Sequence, residues 1–248
     1  AEALGGGQRV MLLLGESDLA AAEATLTPVL ETAGVSGWSL SSARVAAPPW
    51  VLAGHTRVID PLSSFLPTAG AGVLSLGRHP TAFFQANRYL TPELVATVDR
   101  LATGDRIVDL YAGVGLFAVA LAASRGSRVT AVEQDPVGAD DLRHNAGPLT
   151  PAVDVVEASV EDYLAGDADL RGATVLVDPP RVGLSADVRR ALIDHRPAEL
   201  VYVSCDVATQ ARDLRTLVEV GYGLEELVAL DMFPGTAHVE TVARLRAA

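Results

Sequence analysis

The run Asp109-Leu-Tyr-Ala-Gly113-Val-Gly115-Leu-Phe117 limits the possible fold of this chain more than any other stretch. Ahead of it, Arg106–Tyr111 is almost wholly apolar and reads as a strand buried on both faces. Behind the two glycines, Leu116–Ala123 reads as a helix. Strand, glycine turn and helix in that order make the first unit of a doubly wound parallel sheet. The glycines let the chain turn tightly and let a ligand approach the backbone. A second apolar strand, Arg128–Glu133, ends on an acid 24 positions after Asp109. An acid at that place can accept both hydroxyls of a ribose. The third glycine of the dinucleotide fingerprint is absent, and a Gly-x-Gly also serves strand–helix packing. Taken with Glu133, the pattern points to a nucleoside-type ligand.

Composition narrows the class. At 248 residues the chain is one large or two modest domains, and 49% apolar content is ample for a core. No stretch approaches 18 apolar residues free of charge, and the N-terminus lacks the basic start of a signal peptide. A single cysteine excludes an internal disulfide framework and any four-cysteine zinc or iron–sulfur site. These features predict a cytoplasmic protein that spans no membrane. Net charge is −12, and all 19 basic residues are arginines. Such acidity argues against broad, non-specific nucleic-acid affinity but leaves room for a local arginine-lined cleft.

Residues 1–80 differ from the rest and predict a small α+β domain with mainly antiparallel strands. Arg9–Leu14 is a strand candidate, and Ser17 or Asp18 is the expected cap of an alanine-rich helix ending near Gly34. Short strand-like runs follow at Trp38–Val45, Trp50–Ala53, Thr56–Ile59 and Gly72–Leu76. Starting on Ala-Glu-Ala-Leu, the sequence reads as a processed or truncated chain. From 81 to 248 strands and helices alternate. Thr91 with Pro92 opens a helix over 92–102. Further helices are expected at 135–146, 185–195 and 208–220. Further strands are expected at Val153–Glu157, Ala173–Asp178, Glu199–Ser204, about 224–232 and 238–246. The fold class is therefore α/β: a doubly wound, seven-stranded sheet with its last strand antiparallel, preceded by the small α+β domain.

In an open parallel sheet, ligands bind outside the carboxyl ends of the strands. Those ends carry Gly113, Glu133, Glu157, Asp178 with its Pro-Pro-Arg181, and Cys205, so every unusual residue falls on one rim. Asp178-Pro-Pro-Arg181 is either a strand-terminating turn or a ligand-holding loop; it resembles the Asp/Asn-Pro-Pro-aromatic motif with which nucleotide methyltransferases hold an exocyclic amine, but its fourth residue is arginine, which makes amine methylation the less expected chemistry. Cys205 follows a strand and precedes a helix whose N-terminal dipole is expected to lower the thiol pKa. Glu240, inside the apolar run His238-Val-Glu-Thr-Val-Ala, is either a salt-bridged edge residue or a carboxylate held for proton transfer. His238 reads as a supporting hydrogen-bond partner. Phe83-Phe84-Gln85-x-Asn87 sets apolar bulk and two amides ahead of the nucleoside unit.

Six motifs in order give a specific resemblance: Phe-Phe-Gln85-x-Asn87, Asp109-Leu-Tyr-x-Gly113-x-Gly115-x-Phe117, Asp178-Pro-Pro-Arg181-x-Gly183, Tyr202-Val-Ser-Cys205, Ala211-Arg-Asp213 and Asp231-x-Phe-Pro234-x-Thr236-x-His238-Val-Glu240. From about residue 81 to 248 the chain resembles the S-adenosylmethionine-dependent RNA uracil-C5 (5-methyluridine) methyltransferases of tRNA and rRNA. The resemblance implies Cys205 as nucleophile and Glu240 as base, with Gln85, Tyr111, Gly113, Gly115, Glu133 and Asp178 on the cofactor, S-adenosylmethionine. It implies Asn87, Arg181 and His238 as substrate-positioning residues. Its partner would be RNA presenting a flipped or loop uridine, handled by a monomer without a metal. Where the family usually has Asn-Pro after the cysteine, Asp206-Val207 stands here. The family's usual N-terminal RNA-binding barrel has no counterpart in these residues. The competing readings are an amine or small-molecule methyltransferase on the same sheet, and a catalytically silent RNA-binding or scaffold protein.

Overall fold

The computed structural model describes residues 1–4, 8–15, 19–42, 50–67, 74–166 and 168–248. Its first elements are β1 (Val10–Gly15), α1 (Leu19–Thr32), β2 (Gly37–Ser42) and β3 (Trp50–Gly54), followed by β4 (Val58–Pro61) and β5 (Ser75–Arg78). These form a three-stranded sheet, β1-β2-β3, and a hairpin, β4-β5. Two of the three pairings are antiparallel, as expected, but β1 and β2 run parallel. The helix α1 between them acts as a crossover, which antiparallel neighbours do not need. The caps expected at Ser17 or Asp18 fall outside the described residues, as do parts of the expected Trp38–Val45 and Gly72–Leu76 runs.

The remaining chain alternates: α2 (Thr91–Leu101), β6 (Arg106–Leu110), α3 (Leu116–Arg125), β7 (Arg128–Glu133), α4 (Pro136–Ala146), β8 (Val153–Glu157), α5 (Val160–Ala165), β9 (Thr174–Val177), α6 (Ala186–His195), β10 (Glu199–Ser204), α7 (Val207–Glu219), β11 (Tyr222–Leu230) and β12 (Glu240–Ala247). The seven strands stand in the order β11-β12-β10-β9-β6-β7-β8. All run parallel except β12, which is antiparallel to both neighbours. From β6 the chain winds outward to β8, then returns to β9 on the other side of β6. The β6/β9 boundary is thus the switch point where such sheets open a crevice.

Alternation along the central strands divides the core into two layers. Ile107, Val129, Ala131, Leu176, Val201 and Val203 face one layer, packed with α2 and α3. Val108, Leu110, Val132, Val175, Val177 and Tyr202 face the other, packed with α6 and α7. With both faces covered, these strands are apolar over most of their length, with Asp109 a buried acid among them. Helix starts follow side-chain chemistry: the oxygens of Asp135, Ser159, Ser185 and Asp206 accept first-turn amides of α4, α5, α6 and α7.

The β4–β5 region packs into the sheet's own core. Leu62, Phe65, Leu66 and Leu76 lie in the same buried cluster as Leu94, Val98 and Phe117. Asn145 of α4 fastens it further. Its amide nitrogen donates to Gly77 O (2.8 Å) and to Val114 O in the glycine loop (2.9 Å), while its oxygen accepts from Gly77 N (2.7 Å). One buried amide therefore joins the hairpin to the loop after β6.

Candidate active site

A cavity of about 540 Å³ opens at the carboxyl rim of the sheet. The chain contributes to it from seven places. Phe83, Gln85 and Ala86 come from the segment before α2, and Tyr111 and Gly113 from the turn after β6. Glu133, Gln134, Asp135 and Gly138 come from the β7–α4 turn. Asp178, Pro179, Pro180 and Arg181 follow β9, and Cys205, Phe233 and Glu240 complete the wall.

Pairing register brings the cysteine to the glutamate. Ser204, the last residue of β10, pairs with Thr241 of antiparallel β12. Continued one step, that register sets Cys205 opposite Glu240. Because β12 runs against the others, its first residue, not its last, reaches the rim. Buried hydrogen bonds hold this edge: Thr241 Oγ1 lies 3.1 Å from Ser204 O and 2.8 Å from Gln210 Oε1, and the Gln210 amide nitrogen donates to Tyr202 O (3.0 Å).

Burial sets the electrostatics. Glu240 is 2% exposed, and burial pushes its pKa from an ordinary 4.5 to about 7. Asp178 is pushed well up, first by burial and then by the charges of Glu240 and Asp109. The Gln85 amide nitrogen donates to Asp178 Oδ2 (3.3 Å). Asp109, buried under the glycine loop, has no well-formed hydrogen bond to either carboxyl oxygen among the described residues, the Ala118 amide being its nearest donor. Burial pushes it to about 8, against the pull of the Ala118 amide and with the Glu133 charge adding.

The thiol corrects a sequence expectation. The Cys205 pKa is raised, not lowered, by burial first and then by Glu240, with Asp178 adding. A hydrogen bond from Arg181 and its charge oppose the rise. The dipole of α7 does not serve the thiol because Asp206 caps that helix. Its Oδ1 accepts from Ala208 N (3.1 Å) and Thr209 N (2.9 Å).

Glu133, expected from the sequence to meet a ribose, is fixed by two backbone amides. Glu133 Oε2 accepts from Gly113 N and Oε1 from Asp135 N, both at 2.7 Å. Each oxygen keeps a further lone pair for a ligand hydroxyl. Gly113 has φ +56°, and a Cβ built there meets nothing within 4 Å. A side chain would project into the space a ligand needs. Tyr111 adopts φ +66°, a strained conformation for a non-glycine residue, at the point where the chain leaves β6. A shaped cradle, a fixed carboxylate and a cavity of this size fit a nucleoside carrying an amino-acid tail.

Four expected residues stand away from the cavity wall. Gly115 (φ +86°) is a packing glycine, since a Cβ there would lie 2.4 Å from Leu142 Cδ1. The Asn87 amide is taken up by Met232 O (3.1 Å), Tyr89 N (3.1 Å) and Leu90 N (3.2 Å), which ties the segment before α2 to the β11–β12 loop. His238 stacks edge-on against Phe233, ring centroids 6.2 Å apart. Glu157, expected on the rim, turns outward to Arg143 (2.5 Å), because β8 is an edge strand whose end α4 covers. Conversely, Gln134, Asp135 and Gly138 line the cavity without having been singled out. The signal was the cap Asp135 with Pro136 and a glycine in the first helical turn.

Comparison with known proteins places this arrangement in a class. It is similar to the crystal structure of Pyrococcus abyssi tRNA (uracil-54, C5)-methyltransferase in complex with S-adenosyl-L-homocysteine, with TM-score 0.75 and 30% identity over 95% of this chain and 56% of that one. Pyrococcus horikoshii TYW2 in complex with MeSAdo shares the fold at 15% identity and TM-score 0.59. The sheet is thus of the α/β methyltransferase type. Residues 167–247 match the family model tRNA (Uracil-5-)-methyltransferase, and residues 86–180 match the TRM5/TYW2 methyltransferase domain. The tRNA (uracil(54)-C(5))-methyltransferase of Pyrococcus furiosus is 41% identical over 171 residues, 68% of this chain and 39% of the relative. The 23S rRNA (uracil(747)-C(5))-methyltransferase of Pyrococcus abyssi is 39% identical over 169 residues, 68% of this chain and 40% of the relative. Over that matched two thirds, the chain belongs to the RNA uracil-C5 methyltransferase family. It spans about two fifths of the length of the curated relatives it matches.

Proposed function

We propose that this chain carries the catalytic part of an S-adenosylmethionine-dependent methyltransferase that forms 5-methyluridine in tRNA or rRNA through a covalent cysteine adduct. The observation that carries the reading is the register of β10 on β12, which sets the one cysteine beside a buried carboxylate at the mouth of a nucleoside-sized cavity. S-adenosylmethionine, when bound, supplies an electrophilic methyl group on a sulfonium. Glu133 and the Gly113 turn hold its ribose and amino-acid parts, and Gln85 and Asp178 close the end nearest the pyrimidine.

Carbon 5 of uracil is too weak a nucleophile to attack that methyl group directly. The Cys205 thiolate adds to C6, and the C5–C6 π pair becomes an enolate that makes C5 nucleophilic. C5 would then take the methyl group as its bond to the sulfonium sulfur breaks, leaving a neutral thioether. Glu240, ionising near pH 7, removes the C5 proton, and the returning enolate expels the thiolate from C6. Arg181 steadies the thiolate. The uridine must leave its stack to reach the sulfur, so a loop or flipped base is the expected substrate.

RNA containing 5-fluorouridine tests this reading. Fluorine replaces the C5 proton, so wild-type protein with S-adenosylmethionine should form a stable methylated protein–RNA adduct, and Cys205→Ala should form none. Methyl transfer by Cys205→Ala would refute the mechanism and favour an amine or small-molecule methyltransferase. Cofactor binding with neither adduct nor turnover would favour a silent RNA-binding protein.

A further inference from the structure

Helix α7 starts just after the cysteine, and it grips the loop that carries Arg181. Thr209 Oγ1 lies 3.1 Å from Arg181 O, Arg212 Nη2 donates to Val182 O at 3.1 Å, and Asp213 Oδ2 accepts from Leu184 N at 2.9 Å. The three side chains sit at i, i+3 and i+4, on one face of the helix. Between the gripped residues lies Gly183, with φ +74°. A Cβ there would fall 2.6 Å from Asp213 Oδ2 and 2.8 Å from Arg212 Nη2, so the loop lies too close to α7 to admit a side chain.

Asp213 is fully buried and anchors more than the loop. It accepts from the Tyr202 hydroxyl of β10 (2.8 Å) and from Arg189 of α6 (2.9 Å). None of Thr209, Arg212 and Asp213 lines the cavity. All three hold backbone whose neighbouring side chains do.

We propose that Thr209, Arg212 and Asp213 are positioning residues which, through loop 181–184, hold the Arg181 guanidinium on the Cys205 thiol. The proposal deepens, and rests on, the reading of Cys205 as the nucleophile. Cys205, Glu240 of β12, and Asp178 and Arg181 from the loop after β9 line one cavity wall, so these are the charged groups around the thiol. Burial and both carboxyls favour the neutral thiol, and Arg181 is the cation that favours the thiolate. An arginine on a freely moving loop would spend part of the time away from the sulfur. Fixing the loop to the helix that follows the cysteine makes arginine and sulfur move as one unit.

Because the full chain has one cysteine, alkylation reports Cys205 alone, without RNA or cofactor. The experiment measures iodoacetamide labelling by mass spectrometry as a function of pH, with a thermal melt on each variant. Arg181→Gln and Thr209→Val should slow labelling at pH 7 about tenfold, the scale of one lost charge-assisted hydrogen bond, and move the profile to higher pH. Thr209→Ser keeps the hydroxyl and should follow wild type. Thr209 also bonds the α7 cap, so Arg212→Gln is the second variant. Its side chain is half exposed, the fold should survive, and the profile should move the same way by less. Profiles of Thr209→Val and Arg212→Gln that superpose on wild type would overturn the proposal, as would an Arg181→Gln profile that does not move. Failure of the RNA adduct in wild-type protein would instead sink the nucleophile reading and leave this result standing.

Discussion

Replacing Glu240 by glutamine should slow the enzyme and stabilise the protein, and the two effects share one cause. Glu240 is 2% exposed and ionises near pH 7 instead of 4.5. A carboxyl whose folded pKa is raised binds its proton more tightly in the folded state. Its penalty on stability is therefore absent below pH 4.5, grows between 4.5 and about 7, and is complete above that. At about 1.4 kcal/mol per pH unit the gap corresponds to roughly 3 kcal/mol. Glutamine keeps the shape and carries no charge, so urea unfolding at pH 8 should show a gain of up to about 3 kcal/mol over wild type. At pH 4 the two proteins should match. In the proposed mechanism the same carboxylate is the base that takes the C5 proton. Breakdown of a preformed methylated adduct, the step that needs this base, should thus quicken about tenfold per pH unit below pH 7 and level off above it. In the glutamine variant methyl transfer can still occur once, but release should slow by about 10²–10⁴. The protein should then accumulate as a slow-migrating RNA adduct carrying labelled methyl. Normal turnover would refute the base assignment and turn attention to His238 or Asp206. An unchanged stability at pH 8 would show that the carboxylate is not held dry.

Glu133→Ala should weaken S-adenosylmethionine binding by about 1.5–3 kcal/mol, the scale of hydrogen bonds to a charged acceptor, measured by calorimetry. An unchanged dissociation constant would put the ribose contact elsewhere. Because net charge is −12, the isolated chain should bind RNA weakly and with steep salt dependence, followed by filter binding across a potassium chloride series. Binding that stays tight at high salt would locate an RNA site in residues 1–80.

Much of the sheet was legible because a strand buried on both faces has little freedom of composition. β6, β9 and β10 are short apolar runs with turn residues beyond them, and both their order and their ends follow from reading along the chain. Gly113 was legible for a local reason: a positive φ beside a cradle leaves little but glycine. Gly115 has the same signature and a different cause, since the neighbour that excludes a side chain is Leu142. Sequence alone cannot separate the two, because α4 supplies that neighbour only once it has folded back.

What escaped the sequence depends on contacts between distant segments. α5, six residues long, is too short to show a helical period. The meeting of Cys205 and Glu240 rests on the antiparallel register of β12, and one step of slippage would turn Glu240 to the other face. The direction of the thiol shift is harder still to read. A cysteine before a helix invites a dipole argument, yet the cap Asp206 takes up the first-turn amides. The ends of β9 and β12, far apart in sequence, then bring Asp178 and Glu240 against the sulfur, with Arg181 as counter-charge. The sign of that sum follows from which groups share a dry volume, so it becomes readable only when the strands are in register.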